Sequence, residues 1–388
     1  MPSKRKLDIA VAHLSLNFFG GEEKLCLSII EALKLSGHRV TLFTVEKTDW
    51  VSASRFFNHV VKPDLQVYSE SSMIRRGFTK TSALILAYAK YLVGLISLRR
   101  KYGLVINSYG DLINSIADVS YVHFPIKATL DYSQIPVFVS PVKWKVYCQV
   151  YNLAASYVDK ISPSFLITNS KFTQQIVKEY LKRESSVLYP PVDVKLYAKA
   201  KVKSENLVVT VSRFTTKRCL QKVPQIARNT QNARFIIIGR ADQYSTETID
   251  SLQKAIKEQN VQDRVILMPN VKRSRLIELL ATAKVYLHVM PSEHFGISII
   301  EAMAAGCIPI VRRSGGPWLD ILDQKQGKYG FSYETPEEAA YLIGNILNDE
   351  KLRSEVSLAA QKRSFEYDES SFRRRLQVLI SKLTSMDR

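Results

Sequence analysis

The 388-residue sequence predicts an α/β protein built from two similar units. Short runs rich in β-branched residues alternate with longer helical patterns, and this alternation is typical of parallel sheets joined by crossover helices. It stops once, at residues 187–193, where Pro190 and Pro191 stand in a stretch that neither a helix nor an inner strand tolerates. The alternation then starts again, so we expect two α/β units joined at about residue 195.

The individual elements follow from this pattern. In the first unit, strands are predicted at 7–14, 39–46, 64–69, 103–108, 119–123 and 164–168, and helices at 21–36, 80–100, 142–158 and 170–182. In the second unit, strands are predicted at 207–213, 233–239, 264–268, 284–289 and 308–312. A last helix is predicted over 364–386, because Phe372, Leu376 and Leu379 share one face. Ligands of open α/β sheets bind at the carboxyl ends of the strands, so the loops there should carry the chemistry.

Bulk composition narrows the class of protein. Hydrophobic residues make up 46% of the chain, with only 15 Gly and 14 Pro, which excludes collagen-like, disordered and disulfide-scaffold proteins. The 55 Lys+Arg against 36 Asp+Glu give a formal net charge of +19, which favours an anionic partner. The four cysteines are far apart in sequence, so we expect a reducing compartment and no metal cluster. They are Cys26, Cys148, Cys219 and Cys307.

Membrane contact is predicted to be at most peripheral. The N-terminus is basic, but the run 7–13 contains Asp8 and His13, so we expect a first strand and not a signal peptide. Residues 82–98 form the only apolar stretch of membrane length, and its Lys and Tyr residues disfavour a spanning helix. Cationic flanks fit a helix on an anionic membrane surface, and a buried crossover helix fits equally well. Both interpretations stay open, as they do for 135–151.

The most informative segment is 291–306, which follows an apolar strand and contains a glycine turn and a helix start. The free N–H groups of Phe295, Gly296, Ile297, Ser298 and Ile299 would form an anion site suited to a diphosphate. Two carboxylates bracket this site eight residues apart, and they could accept hydrogen bonds from sugar and ribose hydroxyls. They are Glu293 and Glu301. The alternative is that both are surface or helix-capping acids.

Three further features follow strands and are candidates for the same site. Arg213, Lys217 and Arg218 place three cations in six residues, which suits a diphosphate, although a solvated basic turn has the same composition. The Gly20-Gly21 turn starts a helix and permits close approach of a phosphate or sugar, or it is an ordinary strand-to-helix turn. His123 follows a short apolar strand, where a single histidine is more often packed than functional.

Taken together, these motifs resemble those of the GT-B retaining glycosyltransferases of family 4, the glycosyl transferases group 1. The signature is Glu293 and Glu301 with seven residues between them, where His-Phe-Gly follows the first glutamate and Ala-Met-Ala-Ala-Gly306 follows the second. Within that family the likeness is greatest to the α-1,2-mannosyltransferases that elongate dolichol-linked oligosaccharides for asparagine-linked protein glycosylation. Four other segments fall in the order that the family requires. They are Tyr121–Pro125, Asn169–Thr173, Tyr189–Asp193 and Ser314–Asp320.

The resemblance implies an architecture as well. Two Rossmann-like domains would face each other across a cleft, and a C-terminal helix would cross back to the N-terminal domain. On this interpretation 1–194 is the acceptor domain, 195–365 is the nucleotide-sugar-binding domain and 366–388 is the returning helix.

The resemblance also implies roles for the candidate residues. Arg213 and Lys217 would neutralise the leaving diphosphate, with Arg218 as the alternative second cation. His123 would contact the donor sugar, and the Gly20-Gly21 turn would face the donor diphosphate and the acceptor. Glu293 would bind hydroxyls of the transferred sugar and Glu301 those of the ribose. One departure from the family pattern is Lys24, which stands where the family usually has Arg.

The implied reaction is transfer of a hexose with retention of configuration and without a metal ion or other cofactor. GDP-mannose is the donor that the resemblance favours, and a UDP-sugar is the alternative. The acceptor would be a glycan, polyprenyl- or dolichol-linked, and the location cytoplasmic, with peripheral attachment to the cytoplasmic face of a membrane as an option. Two rival interpretations are a nucleic-acid-binding α/β protein, disfavoured because no single-strand motif appears, and an inactive GT-B partner subunit.

Overall fold

The computed structural model describes residues 6–69, 81–111, 113–132, 144–145, 149, 164–199 and 205–386. The chain divides into two compact units. The first contains residues 1–191 together with 372–388, and the second contains residues 192–371. The predicted helix 142–158 and the segment 135–151 lie almost entirely outside the described residues.

The first unit is built on a seven-stranded sheet in which every pairing is parallel, in the order β3-β2-β1-β4-β5-β6-β7. Its inner strands are buried along nearly their whole length, which explains why they appear in the sequence as continuous apolar runs. The strands are β1 Asp8–Ala12, β2 Arg39–Thr44, β3 Leu65–Tyr68, β4 Leu104–Asn107, β5 Val119–Val122, β6 Phe165–Thr168 and β7 Ser186–Val187.

In the described part of the first unit, four α-helices precede the last strand: α1 Gly21–Leu35, α2 Trp50–Phe57, α3 Thr81–Lys101 and α4 Lys171–Leu181. Side-chain caps fix two of their starts, because Asp49 accepts from the N–H of Ser52 and Ser170 accepts from the N–H of Thr173. No helix in the described part of the chain is long and apolar enough to span a membrane.

The second unit repeats the plan with a six-stranded parallel sheet in the order β10-β9-β8-β11-β12-β13. Its strands are β8 Glu205–Val211, β9 Arg234–Gly239, β10 Val265–Pro269, β11 Ala283–Leu287, β12 Ile308–Arg312 and β13 Phe331–Tyr333. Its helices are α5 Val194–Ala198, α6 Lys222–Arg228, α7 Thr246–Glu258, α8 Arg273–Thr282, α9 Ile297–Ala304, α10 Pro336–Asn348 and α11 Glu350–Ser364.

The last helix, α12 Glu369–Met386, starts in the second unit and packs in the core of the first. Phe372, Leu376 and Ile380 are buried there, and Gln377 donates to the hydroxyl of Ser36 at 2.8 Å. The prediction of one helix over 364–386 is wrong at its start. The carboxylate of Asp368 accepts from the N–H of Ser371 and ends the preceding turn, so the helix begins at residue 369.

All eleven predicted strands are present, within a few residues at each end. Two short strands, β7 and β13, were not predicted. Both lie at a sheet edge with a single neighbour, and they span only two and three residues, which is too short for a periodic pattern.

Candidate active site

The loop between β11 and α9 forms the helix start that the sequence predicts to bind an anion. Gly296 has a left-handed backbone (φ 105°), and a Cβ there would lie 2.6 Å from the Ile299 side chain, so the turn requires glycine. The prediction of a free N–H at Ile299 is wrong, because that group donates to the Gly296 carbonyl at 3.0 Å and closes the first turn. The N–H groups that precede it at the start of α9 point along the helix axis, where the helix dipole adds positive potential. The turn therefore offers backbone donors to an anionic ligand.

Side chains in this turn anchor it to the unit. Phe295 is buried and its ring packs against Tyr367 with centroids 5.5 Å apart. The Ser298 hydroxyl lies 2.7 Å from that of Tyr286. Phe295 and Ser298 thus use their side chains inside the unit, while Ile297 is half-buried. Any contribution of these three residues to ligand binding would come chiefly from their backbone.

Residues 314–317, in the segment Ser314–Asp320 that matches the family, pack directly on the Glu293 loop. The Gly316 N–H donates to the Glu293 carbonyl at 2.8 Å, and a Cβ on Gly316 would lie 2.3 Å from the His294 carbonyl oxygen. The Ser292 N–H donates to the Ser314 hydroxyl at 3.1 Å. Only glycine permits this close approach of the two loops, so Gly315 and Gly316 fix the position of Glu293.

Glu293 is held as a carboxylate by two cationic or polarisable neighbours. Nη1 of Arg218 lies 2.6 Å from its Oε2, and Nε2 of His288 lies 3.5 Å from the same oxygen. Burial by itself would raise the pKa of Glu293, but Arg218 and then His288 hold that pKa well below its usual range. The side chain of Glu293 retains 17% exposure, so a ligand hydroxyl can still reach it.

The three cations after β8 share one short turn. Phe214 is fully buried and anchors the chain between Arg213, which is exposed, and the 3₁₀ turn Thr216–Arg218. Arg218 turns toward Glu293. Burial, Arg213 and Arg218 lower the pKa of Lys217 to about 8, so Lys217 lies in the field of the other two cations. It stays a prediction that Lys217 contacts a diphosphate, with Arg218 as the alternative.

Glu301 lies inside α9 and makes a hydrogen bond of its own. Its Oε1 accepts from the hydroxyl of Tyr197, in α5, at 2.8 Å. Burial raises the pKa of Glu301, and the Tyr197 hydroxyl and Arg273 act against that rise. Glu293 and Glu301 therefore have different partners, a guanidinium for the first and a phenol for the second.

In the first unit, His123 follows β5 and is held on both its backbone and its ring. Asp111 accepts from the N–H groups of His123 (2.5 Å) and Phe124 (2.9 Å), while Asn169 donates to the His123 carbonyl at 3.0 Å. Ring Nε2 lies 3.2 Å from the carbonyl oxygen of Ser108. Burial lowers the pKa of His123, so the imidazole is neutral near pH 7.

A buried polar chain links His123 to the Gly20-Gly21 turn. The Ser108 hydroxyl lies 3.0 Å from Nδ1 of His13, and His13 Nε2 lies 3.7 Å from Glu23. The other Glu23 oxygen accepts from the N–H of Gly20 at 2.6 Å and caps α1. Burial opposes an imidazolium, yet Cys26 and then Glu23 raise the pKa of His13 to about 10.

Sequence reasoning did not single out Asp111, His288 or Tyr197. Asp111 follows Gly110 after β4, which is a weak signal, and His288 lies within the predicted strand 284–289. Tyr197 stands 104 residues from its partner. In the described part of the chain, no three His, Cys, Asp or Glu residues are grouped so that they could hold a metal ion. Independence from metal ions stays a prediction.

Comparison with known proteins shows which family and which relatives this chain is similar to. Residues 195–363 match the family model of the glycosyl transferases group 1. A GDP-Man:Man(3)GlcNAc(2)-PP-Dol alpha-1,2-mannosyltransferase of Dictyostelium discoideum is 25% identical over 68% of this chain and 54% of its own length. The human protein of that name is 27% identical over 63% of this chain and 54% of its own length. The chain thus spans about half the length of these curated relatives.

One relative matches along nearly its whole length. The alpha-1,3/1,6-mannosyltransferase of D. discoideum is 21% identical over 98% of this chain and 99% of its own length. Among solved structures, Anabaena HepE in complex with UDP and glucose has a TM-score of 0.72 at 17% identity, over 97% of this chain and 100% of its own. Sucrose-phosphate synthase from Thermosynechococcus elongatus has a TM-score of 0.73 at 16% identity, over 98% and 100%. These matches confirm the predicted GT-B fold, and the family likeness that the motifs predicted is found over residues 195–363, which match the glycosyl transferases group 1.

Proposed function

We propose that this protein transfers mannose from GDP-mannose, with retention of configuration, to a dolichol- or other polyprenyl-linked glycan. The relatives named as mannosyltransferases of dolichol-linked glycans support the donor and the acceptor. The observation that carries the proposal is the ionised Glu293, held by Arg218 and His288 next to the helix start of α9. A carboxylate beside an anion site matches a sugar diphosphate, whose hydroxyls and phosphates need opposite partners.

The charged groups of the second unit stabilise the departing diphosphate. Negative charge grows on the phosphate as the glycosidic bond breaks, and Arg213, Lys217 and the first N–H groups of α9 offset it. Because these groups already stand in place, little reorganisation accompanies the reaction. The same cations would make a divalent metal ion unnecessary, which supports the proposal of a metal-independent reaction.

Glu293 accepts hydrogen bonds from hydroxyls of the transferred mannose, and neutral His123 contacts the same sugar. With Nε2 donating to the Ser108 carbonyl, Nδ1 of His123 is an acceptor. The acceptor hydroxyl attacks from the face that the diphosphate leaves, which retains the configuration. The phosphate oxygens receive the hydroxyl proton as they depart. Positioning of the two substrates supplies the rest of the rate increase.

We also propose that the protein works at the cytoplasmic face of a membrane. Helix α3 buries Ala87, Tyr91, Leu95 and Leu98 in the core, so it is a crossover helix on one face. Its other face exposes Val93 by 66%, Leu86 by 41% and Ile96 by 37%, and exposed Arg100 and Lys101 follow. An apolar face with cations at its end supports contact with anionic lipids.

Sedimentation with vesicles of phosphatidylserine and phosphatidylcholine tests the membrane contact. We expect Val93→Asp to reduce the bound fraction severalfold, because it places a charge on the apolar face. Leu358→Asp, at an exposed site on α11, is the matched control and should bind like wild type. Equal binding of all three proteins would contradict the role of α3.

The donor is tested by calorimetry with GDP, UDP, ADP, GDP-mannose and UDP-glucose, followed by an assay of transfer to a synthetic polyprenyl-diphosphate-linked glycan, with and without a chelator of divalent metals. We expect binding of GDP and GDP-mannose and chelator-resistant transfer. Binding of uridine ligands alone would keep the site and discard mannose transfer from GDP-mannose. The absence of any nucleotide binding would leave the inactive partner subunit as the better explanation.

A further inference from the structure

Tyr197 is a buried tyrosine whose hydroxyl lies between the Glu301 carboxylate and the Arg273 guanidinium. Its side chain is 1% exposed, and the hydroxyl donates to Oε1 of Glu301 at 2.8 Å. A phenylalanine would fill the same space with its ring. A buried hydroxyl without an acceptor is costly, so the tyrosine is favoured here because Glu301 is its acceptor.

The bond joins two elements that are far apart in the sequence. Tyr197 lies on α5, directly after the proline-rich stretch that leads into the second unit, while Glu301 lies on α9. Arg273, the first residue of α8, stands 6.0 Å from the Tyr197 ring centre, and its guanidinium lies 4.0 Å from a carboxylate oxygen of Asp193. Three elements of one unit therefore fix the tyrosine ring from several sides.

A fixed donor on one oxygen determines where the other oxygen of Glu301 points. A glutamate side chain has three rotatable bonds, and each rotamer that is lost before binding is one that the ligand does not have to restrict. Without the phenol, the Glu301 carboxylate would be free to turn within its site. The bond thus leaves the second oxygen available, in one orientation, for hydroxyl donors of a ligand.

We propose that Tyr197 is a positioning residue that orients Glu301 toward the ribose of the nucleotide and so sets the preference for ribonucleotides over deoxyribonucleotides. The inference rests on the proposed role of Glu301 and adds the residue that makes it selective. Tyr197 does not touch the nucleotide. Its effect is confined to ligands that carry ribose hydroxyls.

Calorimetry with the Tyr197→Phe variant tests this inference in the full chain. The probes are GDP and 2′,3′-dideoxy-GDP, with the matching uridine pair in parallel. We expect wild type to favour the ribose form by about 10- to 100-fold, which is typical of hydrogen bonds to a charged group. In Tyr197→Phe this ratio should fall at least about fivefold, through weaker binding of GDP, while the affinity for the dideoxy form stays unchanged.

Two control variants separate positioning from a structural effect. Tyr341→Phe removes a hydroxyl from a tyrosine that is 68% exposed on α10, and it should keep the wild-type ratio. In a Glu301→Ala background, which has no side-chain oxygen for Tyr197 to orient, Tyr197→Phe should cause no further loss of the ratio. Should Tyr197→Phe fold poorly, 4-fluorophenylalanine at position 197 fills the space of the hydroxyl without donating, and the same fall is expected.

The outcomes distinguish the inference from the proposed function. A wild-type ratio that Tyr197→Phe leaves intact overturns the positioning role while Glu301 keeps its own. Equal loss of affinity for both nucleotides also overturns it, since that is the result of a general structural defect. A wild-type protein that binds both forms equally well would remove the ribose role of Glu301, and the inference with it.

Discussion

The carboxyl ends of the two sheets hold their polar groups in opposite ways. In the second unit, Arg218 and Glu293 form an ion pair whose side chains are 21% and 17% exposed. In the first unit, His13 and Ser108 are fully buried and His123 is 7% exposed, and hydrogen bonds connect them in one chain. A ligand can replace a partner in the first arrangement, whereas in the second the groups are already held by hydrogen bonds within the protein.

This difference indicates a division of labour. Charged groups with exchangeable partners suit a ligand whose charge changes during the reaction, as a departing diphosphate does. A neutral histidine with its backbone and one ring nitrogen already bonded suits a ligand group that has to be held in one orientation. Variants in both units test this contrast.

Glu293→Gln should have the largest effect. The amide keeps the size of the side chain and an oxygen for Arg218, but it lacks the negative charge that sugar hydroxyls would use. We expect turnover to fall at least about 100-fold, with nucleotide affinity within about threefold of wild type. Steady-state kinetics and calorimetry measure both. Glu247→Gln, exposed on α7, is the control, and unchanged turnover in Glu293→Gln would remove Glu293 from the site.

Arg213→Ala tests whether the exposed cation after β8 binds the diphosphate. Arg213 is exposed and stands at the end of β8, where we place the diphosphate. Loss of a charge-assisted hydrogen bond should weaken GDP binding by about 30-fold, as calorimetry would detect. Arg228→Ala, which removes an exposed arginine from α6, should bind GDP like wild type. Wild-type affinity in Arg213→Ala would contradict the phosphate role.

The pH dependence of nucleotide binding tests Lys217. Its lowered pKa of about 8 means that the side chain is charged below pH 8 and becomes neutral above it. If the cation binds the diphosphate, affinity for GDP should fall about tenfold between pH 7 and pH 9. In Lys217→Arg the cation persists to higher pH, so this fall should disappear. Identical pH profiles would assign the diphosphate to Arg213 and Arg218 without Lys217.

The smallest effect is expected in the first unit, at Asp111. Burial and then Glu22 raise the pKa of Asp111 well above its usual range, and its carboxyl accepts hydrogen bonds from two N–H groups. Asp111→Asn keeps such an acceptor, and turnover should stay within about threefold of wild type. Asp111→Ala removes it and should cost about tenfold. A large loss in Asp111→Asn would show that the charge of Asp111 matters.

The strands and both carboxylates of the site could be predicted because their signals are local. Buried parallel strands are continuous apolar runs, and the Glu293 loop lies between a strand and a helix start that glycine marks. The short edge strand β13 could not be predicted, because three residues are too few to show a pattern. The strand forms through its pairing with β12.

The partners within the site could not be predicted, because they depend on contacts between distant segments. Arg218 reaches Glu293 across 75 residues of sequence, and no periodicity distinguishes it from Lys217 next to it in the same turn. The 3₁₀ geometry of that turn decides which of the two side chains faces the carboxylate. Asp111 and His123 likewise meet only because β4 and β5 are neighbours in the sheet.

The packing of α12 has a consequence for how the protein is made. Gln377 meets Ser36 across 341 residues, and Phe372, Leu376 and Ile380 complete a core whose other buried members are made early. At 5–20 residues per second, a ribosome needs roughly 10 to 40 s to synthesise the second unit. During that time the N-terminal sheet emerges with part of its apolar surface uncovered. The nascent chain therefore needs a chaperone most in the interval between synthesis of the N-terminal sheet and synthesis of α12.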